Sequence, residues 1–344
     1  MDFSHHMKKL ISRFIDKSIS VLRLGSSWFG RLIAGIVEAA RGESYVETYA
    51  PTQSDTLHKE IKHSDEAVLK KEFERAIRIA LKLLRFNIVR VAIDVTEDPY
   101  WGKEGSFNTR AKIHEKSEES WQYANLSIVD PFFVPLMSLP YGQTDDLDNL
   151  VIDLLEYLRT LPLRASLVLF DRGFYHARLI DYLENKQGGK PWPYLILVPK
   201  NDAMKGYIEK TEGYLAEFKH EMNHCLEKSK WKPITKIVVC KGVAKNKKGE
   251  PIDCCFATNQ KTSFGLLRLY RKRWNIETGF RIHDEATIKC KSSSPLIRYF
   301  YHLVGMLLII MWRLHNYFKP YEIFKRYLKQ LEVYFAEIGQ KPPS

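Results

Sequence analysis

The sequence has no CxxC pair, no Cys/His spacing of the kind that builds zinc sites, and no internal repeat. Its five cysteines, Cys225, Cys240, Cys254, Cys255 and Cys290, are odd in number and scattered. That excludes a disulfide framework and suits reduced thiols in a cytoplasmic setting. The start, MDFSHHMKKLISRF, is charged and amphipathic, without the apolar core of a signal peptide. Long apolar runs are missing too. In YFYHLVGMLLIIMWRLHNYF, 299–318, the uninterrupted apolar part is ten residues, Leu303 to Trp312, against the roughly 20 that a bilayer span needs. His302, Arg313 and His315 flank it, so the pattern favours a buried core helix over a membrane segment.

What is present suits one large domain with additions, or two or three smaller ones. Apolar residues make up 45% of the 344, and aromatics 12%, enough for a sizeable core. Fifty-three Lys and Arg against 41 Asp and Glu leave a formal charge of +12. A polyanion partner fits that balance, nucleic acid first.

Residues 7–23 and 27–41 read as two amphipathic, basic helices, with Lys8, Lys9, Arg13, Lys17, Arg23 and Arg31 as a small DNA-binding module or a solvated face. Residues 43–63 read as a polar connector. Ser64 is a plausible N-cap for a helix running to about 86, with Asp65 and Glu66 in its first turn. The β-branched IVRVAIDVT, 88–96, predicts a strand that carries Asp94 near its end, with Glu97 and Asp98 in the loop beyond. Two more strands are expected at 120–129 and 132–139, and a helix at 145–160. The strand ASLVLF then runs straight into Asp171, followed by a helix near 175–187 and a strand at 193–198. Three strands in a meander, then helix, strand, helix, strand, predict a ribonuclease H-like mixed sheet flanked by helices, an α/β (α+β) fold. Residues 200–262 read as a Lys-rich β insertion, 263–285 as one helix, and a long helix and a final amphipathic one follow. The organisation expected is a helical region 1–86, core 87–199, insertion 200–262, core helices 263–318, and a C-terminal helix 319–344.

Asp94 and Asp171 end two strands that can be neighbours in such a sheet. Close carboxylates repel unless a cation sits between them. Oxygen ligands of this kind suit Mg²⁺, with Mn²⁺ as a substitute. Two such ions can activate an attacking oxygen and stabilise a leaving one in phosphodiester displacement. On the 263–285 helix, Tyr270, Arg273 and Glu277 fall within one sector of roughly 60° at about 100° per residue. Glu277 can therefore reach the two aspartates, with Arg273 and Tyr270 beside it as phosphate-gripping groups. Leu269, Ile276 and Phe280 can dock the helix on the sheet. An Arg/Glu pair on a surface helix is the plain alternative.

FDRGFY after a strand, and Tyr270-x2-Arg273-x3-Glu277 on a later helix, resemble the DDE transposases of the insertion-sequence-four type. Asp94, in AIDVTEDPYWG, matches the first acid of that family. The three acids lie 77 and 106 positions apart, and the family carries a β insertion in the longer gap. The resemblance implies a transposase that cleaves at the terminal inverted repeats of its element and joins the 3′ ends to target DNA. It implies Asp94, Asp171 and Glu277 as ligands of two Mg²⁺ ions, with Tyr270 and Arg273 on the DNA backbone. It also implies a homodimer in a synaptic complex on double-stranded DNA, associated with the nucleoid. The family's Lys seven positions after the Glu is Asp284 here, and Arg281, on the same helical face, or Lys289 would have to replace it. Glu97, Asp98, Asp284 and Glu285 are rival acids outside the matched motif. Two alternatives keep the fold: a degenerate DNA-binding relative, and a nuclease or resolvase that cuts without joining.

Overall fold

The computed structural model describes residues 10–17, 26–100, 109–111, 119–185, 190–222, 232–245 and 248–340. Helices open the chain: α1 (10–17), α2 (Ser26–Arg41), α3 (Val46–Tyr49), α4 (Pro51–Lys62) and α5 (Glu66–Leu84). The polar connector expected at 43–63 is thus mostly helical. Pro51 does not interrupt α4 because it sits in the first turn, where its missing N–H costs nothing. The cap of α5 is Asp65 rather than Ser64, its carboxylate accepting from the Ala67 N–H. Of the first expected helix only 10–17 is described, so Lys8, Lys9 and Arg23 lie outside the described residues.

Nine strands make one sheet: β1 (Ile88–Tyr100), β2 (Thr109–Ala111), β3 (Glu119–Asp130), β4 (Val134–Pro140), β5 (Arg164–Phe170), β6 (Tyr194–Leu197), β7 (Leu215–Glu221), β8 (Ile234–Lys245) and β9 (Pro251–Thr258). Their order is β2-β3-β1-β5-β6-β9-β8-β7, with β4 also paired to β3. With the short β2 set aside, the centre reads β4-β3-β1-β5-β6. The first three strands in sequence pair antiparallel, and β5 and β6 add in parallel beside β1. This is the ribonuclease H-like arrangement. Parallel neighbours need crossovers, and α6 (Leu147–Thr160) and α7 (Ala177–Glu184) supply them. The β strands expected within 200–262 are β7, β8 and β9, preceded by α8 (Asp202–Lys210); they continue the same sheet through the antiparallel β6–β9 pair.

The apolar segment near 300 lies in α11 (Pro295–Phe318), 24 residues long. It is the one described helix long and apolar enough to cross a membrane, and 83% of its most apolar stretch is buried in the fold. It packs on β4, α4, α5 and α12 (Phe324–Gln340). Apolar side chains covered in this way form a core, since burial of the face removes it from solvent. The N-terminal helices share that core. Phe14 of α1 stacks on Phe300 at 5.7 Å between ring centroids. Helix α2 crosses α12 where Gly30 meets Gly339: a Cβ on Gly30 would lie 2.5 Å from the Gly339 nitrogen. Arg41 and Glu332 pair across the same contact at 2.8 Å.

Candidate active site

The ladder between β1 and β5 ends with Ile93 opposite Phe170. The next residue on each strand is an acid, Asp94 and Asp171. Parallel neighbours stand about 4.8 Å apart, so the register alone puts the two carboxylates side by side. After Asp171 the chain turns into a short 3₁₀ segment, Arg172–Phe174, which Asp171 caps by accepting from the Arg172 N–H at 2.8 Å. β1 does not stop near Asp94 as expected. It runs on to Tyr100 against β3 alone, so Glu97 and Asp98 belong to the strand and not to a loop.

The third acid arrives on a helix that is broken rather than continuous. Residues Gly265–Arg271 form α9 and Trp274–Asp284 form α10. Lys272 and Arg273 keep right-handed helical dihedrals, but the N–H groups of Lys272, Arg273, Asn275 and Ile276 bond three residues back. A tightened turn of this type inside a helix often marks a functional position. It still brings Tyr270, Arg273 and Glu277 together. Tyr270 donates its hydroxyl to Asp171 at 3.3 Å. Arg273, 7% exposed, donates Nη1 to Asp94 at 3.2 Å and Nη2 to Glu277 at 2.6 Å. Two anchors seat this segment on β3: Asn275 of α10 donates to the Val129 carbonyl at 2.7 Å, and Lys272, in the turn before α10, reaches Asp130 at 3.0 Å. Ile276 is buried, and Gly279 lies so close to Phe133 that a Cβ there would come within 2.3 Å of the ring. Of the expected docking residues Ile276 is fully buried, whereas Leu269 and Phe280 are only partly so.

The electrostatics follow from this crowding. Asp94, 20% exposed at its side chain, has its carboxyl pushed up to about 6. Burial is the main cause, repulsion from Asp171 and Glu277 adds to it, and Arg273 and the Val95 N–H oppose it. Burial also lifts the Tyr270 hydroxyl well above its ordinary value, so it remains a donor. Burial opposes the charge on Arg273, yet Tyr270 and the three acids outweigh it and hold the guanidinium protonated. Its Nε is buried without a partner. Three carboxylates against one guanidinium leave excess negative charge when all ionise. That oxygen-only donor set, with one carboxyl already destabilised as an anion, fits a hard divalent cation.

Arg281 is exposed and donates to Thr278 at 3.3 Å rather than to any of the three acids. Asp284, at the position of the family's Lys, and Lys289 line a cavity of about 640 Å³ together with Asp98, His283 and His302. Glu285 is half-buried at the end of α10. Among the described residues, Cys240, Cys254, Cys255 and Cys290 are free thiols; Cys225 lies outside them.

Residues 109–294, more than half of the chain, match the family model of the transposase DDE domain. The chain belongs to that family. The matched span holds Asp171, Tyr270, Arg273 and Glu277; Asp94 lies before it, placed beside them by the β1–β5 register. No curated protein matches the sequence. The fold is similar to that of a piggyBac transposase solved by cryo-EM in a synaptic complex with hairpin DNA, at TM-score 0.60 and 11% identity, covering 98% of this chain and 79% of that one. A second group capable of holding a metal occurs in this transposase: Asp98, His283 and His302 bring ligand atoms within 4.8 Å of one another. In the sequence Asp98 reads only as a rival acid, His302 only as a flank of the apolar run, and His283 carries no signal, because the three sit on three different elements with no motif spacing.

Proposed function

We propose that the chain is the transposase of an insertion-sequence-four-type element, cutting DNA at the element's terminal inverted repeats and joining the 3′ ends to target DNA. The convergence of Asp94, Asp171 and Glu277 around Arg273 carries this reading. Asp94, Asp171 and Glu277 would hold two Mg²⁺ ions. Those ions would supply an activated oxygen nucleophile and stabilisation of the leaving oxygen. The protein's part is orientation. Tyr270 keeps Asp171 turned into the site, and Arg273 spaces Asp94 from Glu277. The unpartnered Arg273 Nε is a buried donor suited to a phosphate oxygen, which would gain a charge-assisted bond there. Excess positive charge supports binding to the rest of the duplex, with the basic N-terminal helices as a further contact. The working form would be a homodimer in a synaptic complex, in the cytoplasm on the nucleoid, without a membrane.

The test is divalent-dependent nicking and strand transfer on a DNA duplex bearing the element's ends, which the sequence flanking the gene supplies. Asp171→Ala or Glu277→Ala that cleaves at near wild-type rate would overturn the three-acid site. Cleavage without joining would make the chain a nuclease or resolvase. Salt-sensitive DNA binding without nicking would make it a degenerate relative, the reading that Asp284 in place of Lys favours.

A further inference from the structure

Beyond the carboxylate centre, β1 and α10 meet again. Asp98 lies four residues past Asp94 on the same face of β1, roughly 13 Å further along an extended strand. His283 lies six residues past Glu277 on α10, and α11 brings His302 between them. The two imidazoles are 4.6 Å apart between centroids, and His302 Nδ1 stands 3.8 Å from Asp98 Oδ2, too far for a hydrogen bond. Both histidines are 3% exposed. Neither ring nitrogen of His283 has a partner, and neither does His302 Nδ1. Buried polar groups are rarely left so, and here three nitrogens are.

The surroundings orient the rings as a metal site does. His302 Nε2 lies 2.8 Å from Ser138 Oγ, and Tyr123 stacks on the ring at 3.8 Å. With the proton on Nε2 toward Ser138, Nδ1 presents its lone pair to Asp98 and His283. An outer hydrogen bond on the other ring nitrogen is the usual way a ligating histidine is held. Gly305 of α11 leaves room for His283; a Cβ there would come 3.4 Å from its Nε2. All three side chains face the cavity of about 640 Å³ lined also by Cys290 and Arg298.

We infer that Asp98, His283 and His302 bind one Zn²⁺-class transition-metal ion that ties β1, α10 and α11 together, with a fourth position open to the cavity. Two imidazoles and one carboxylate suit zinc and its neighbours rather than Mg²⁺, which prefers oxygen. Both His283 ring nitrogens are buried without a partner, so a lone pair is available to an ion without breaking a hydrogen bond. The ion would also offset the buried Asp98 charge, which His302 first, then His283 and Arg298, now help to balance.

The full chain, stripped with chelator and dialysed against Zn²⁺, should retain about one equivalent by mass spectrometry of the metal. Co²⁺ in its place should give the visible absorption of a low-symmetry, four-coordinate site. His283→Gln breaks no hydrogen bond and should fold as wild type without metal, yet hold the ion at least about tenfold more weakly. Asp98→Asn should do the same, while Asp94→Asn, in the other centre, should leave zinc retention unchanged. If the wild-type chain keeps no more zinc than the Asp98→Asn/His283→Gln double variant, or if Co²⁺ gives no new absorption, the inference falls and Asp98 serves only as the counter-charge of His302 and Arg298. DNA cleavage enters none of these readouts, so they stand or fall apart from the transposase reading.

Discussion

Asp94 and Asp171 are each the first residue beyond the last ladder pair of two parallel strands, so the sheet itself holds two like charges side by side. Their proximity to each other and to Glu277 adds to the burial that disfavours the Asp94 anion. Asp94→Asn should therefore raise the thermal stability of the metal-free protein, by up to about 3 kcal/mol from the raised carboxyl value. The same variant should lose Mg²⁺-dependent DNA nicking. Thermal unfolding beside a nicking assay checks both, and an unchanged or lower stability would mean that Arg273 fully neutralises the pair.

Arg273 is the single cation bridging Asp94 and Glu277, and a planar fork is what allows one side chain to serve both. Lysine keeps the charge but cannot make both bonds. Arg273→Lys should lower cleavage much more than DNA affinity, while Arg273→Ala should also destabilise the fold, by about 3 kcal/mol, since it strands a mostly buried carboxylate. Chemical denaturation and a filter-binding titration separate the two effects.

Gly279 allows α10 to lie against Phe133. Gly279→Ala would place a methyl carbon 2.3 Å from the ring, costing about 1–3 kcal/mol through overpacking and lifting Glu277 off the sheet. Trimming the obstacle should restore much of the loss. The double variant Gly279→Ala/Phe133→Leu is expected to be more stable than Gly279→Ala alone, measured by urea midpoint; simple additivity would refute direct contact as the cause.

Asp148 of α6 meets His176, just past the Asp171 turn, at 2.9 Å. That hydrogen bond holds the His176 imidazole above its ordinary 6.5. A raised histidine stabilises fully below its unfolded value, and the gain fades as pH rises through the folded one. Stability should thus decline from pH 6.5 upward, by at most about 1 kcal/mol because His176 is half exposed. His176→Asn should remove that slope, as read from melting temperatures across pH 6 to 8.5.

The sheet and two of its acids were legible because apolar runs that end on a carboxylate leave a plain trace. The length of β1 was not: past Val95 it reads Thr-Glu-Asp-Pro-Tyr, the composition of a loop, and only pairing with β3 makes it a strand. The break between α9 and α10 left no trace either, since Lys272 and Arg273 keep helical dihedrals and contain no helix breaker. Helical spacing put Arg281 on the face of Glu277, but its guanidinium turns to Thr278 instead. Asp98, His283 and His302 come from three elements, and no local spacing can foretell such a meeting.

The turn at Lys272–Arg273 joins two differently anchored pieces. Tyr270, on α9, rests against Phe256 of β9 at 5.2 Å between rings, while α10 is fastened to β3 through Asn275 and the turn itself through Lys272. The site therefore spans two parts of one sheet, with Tyr270 held beside β9 and Glu277 carried beside β3. Its five polar groups come from β1, the turn after β5, α9, the turn between α9 and α10, and α10, so no single element can build the site alone.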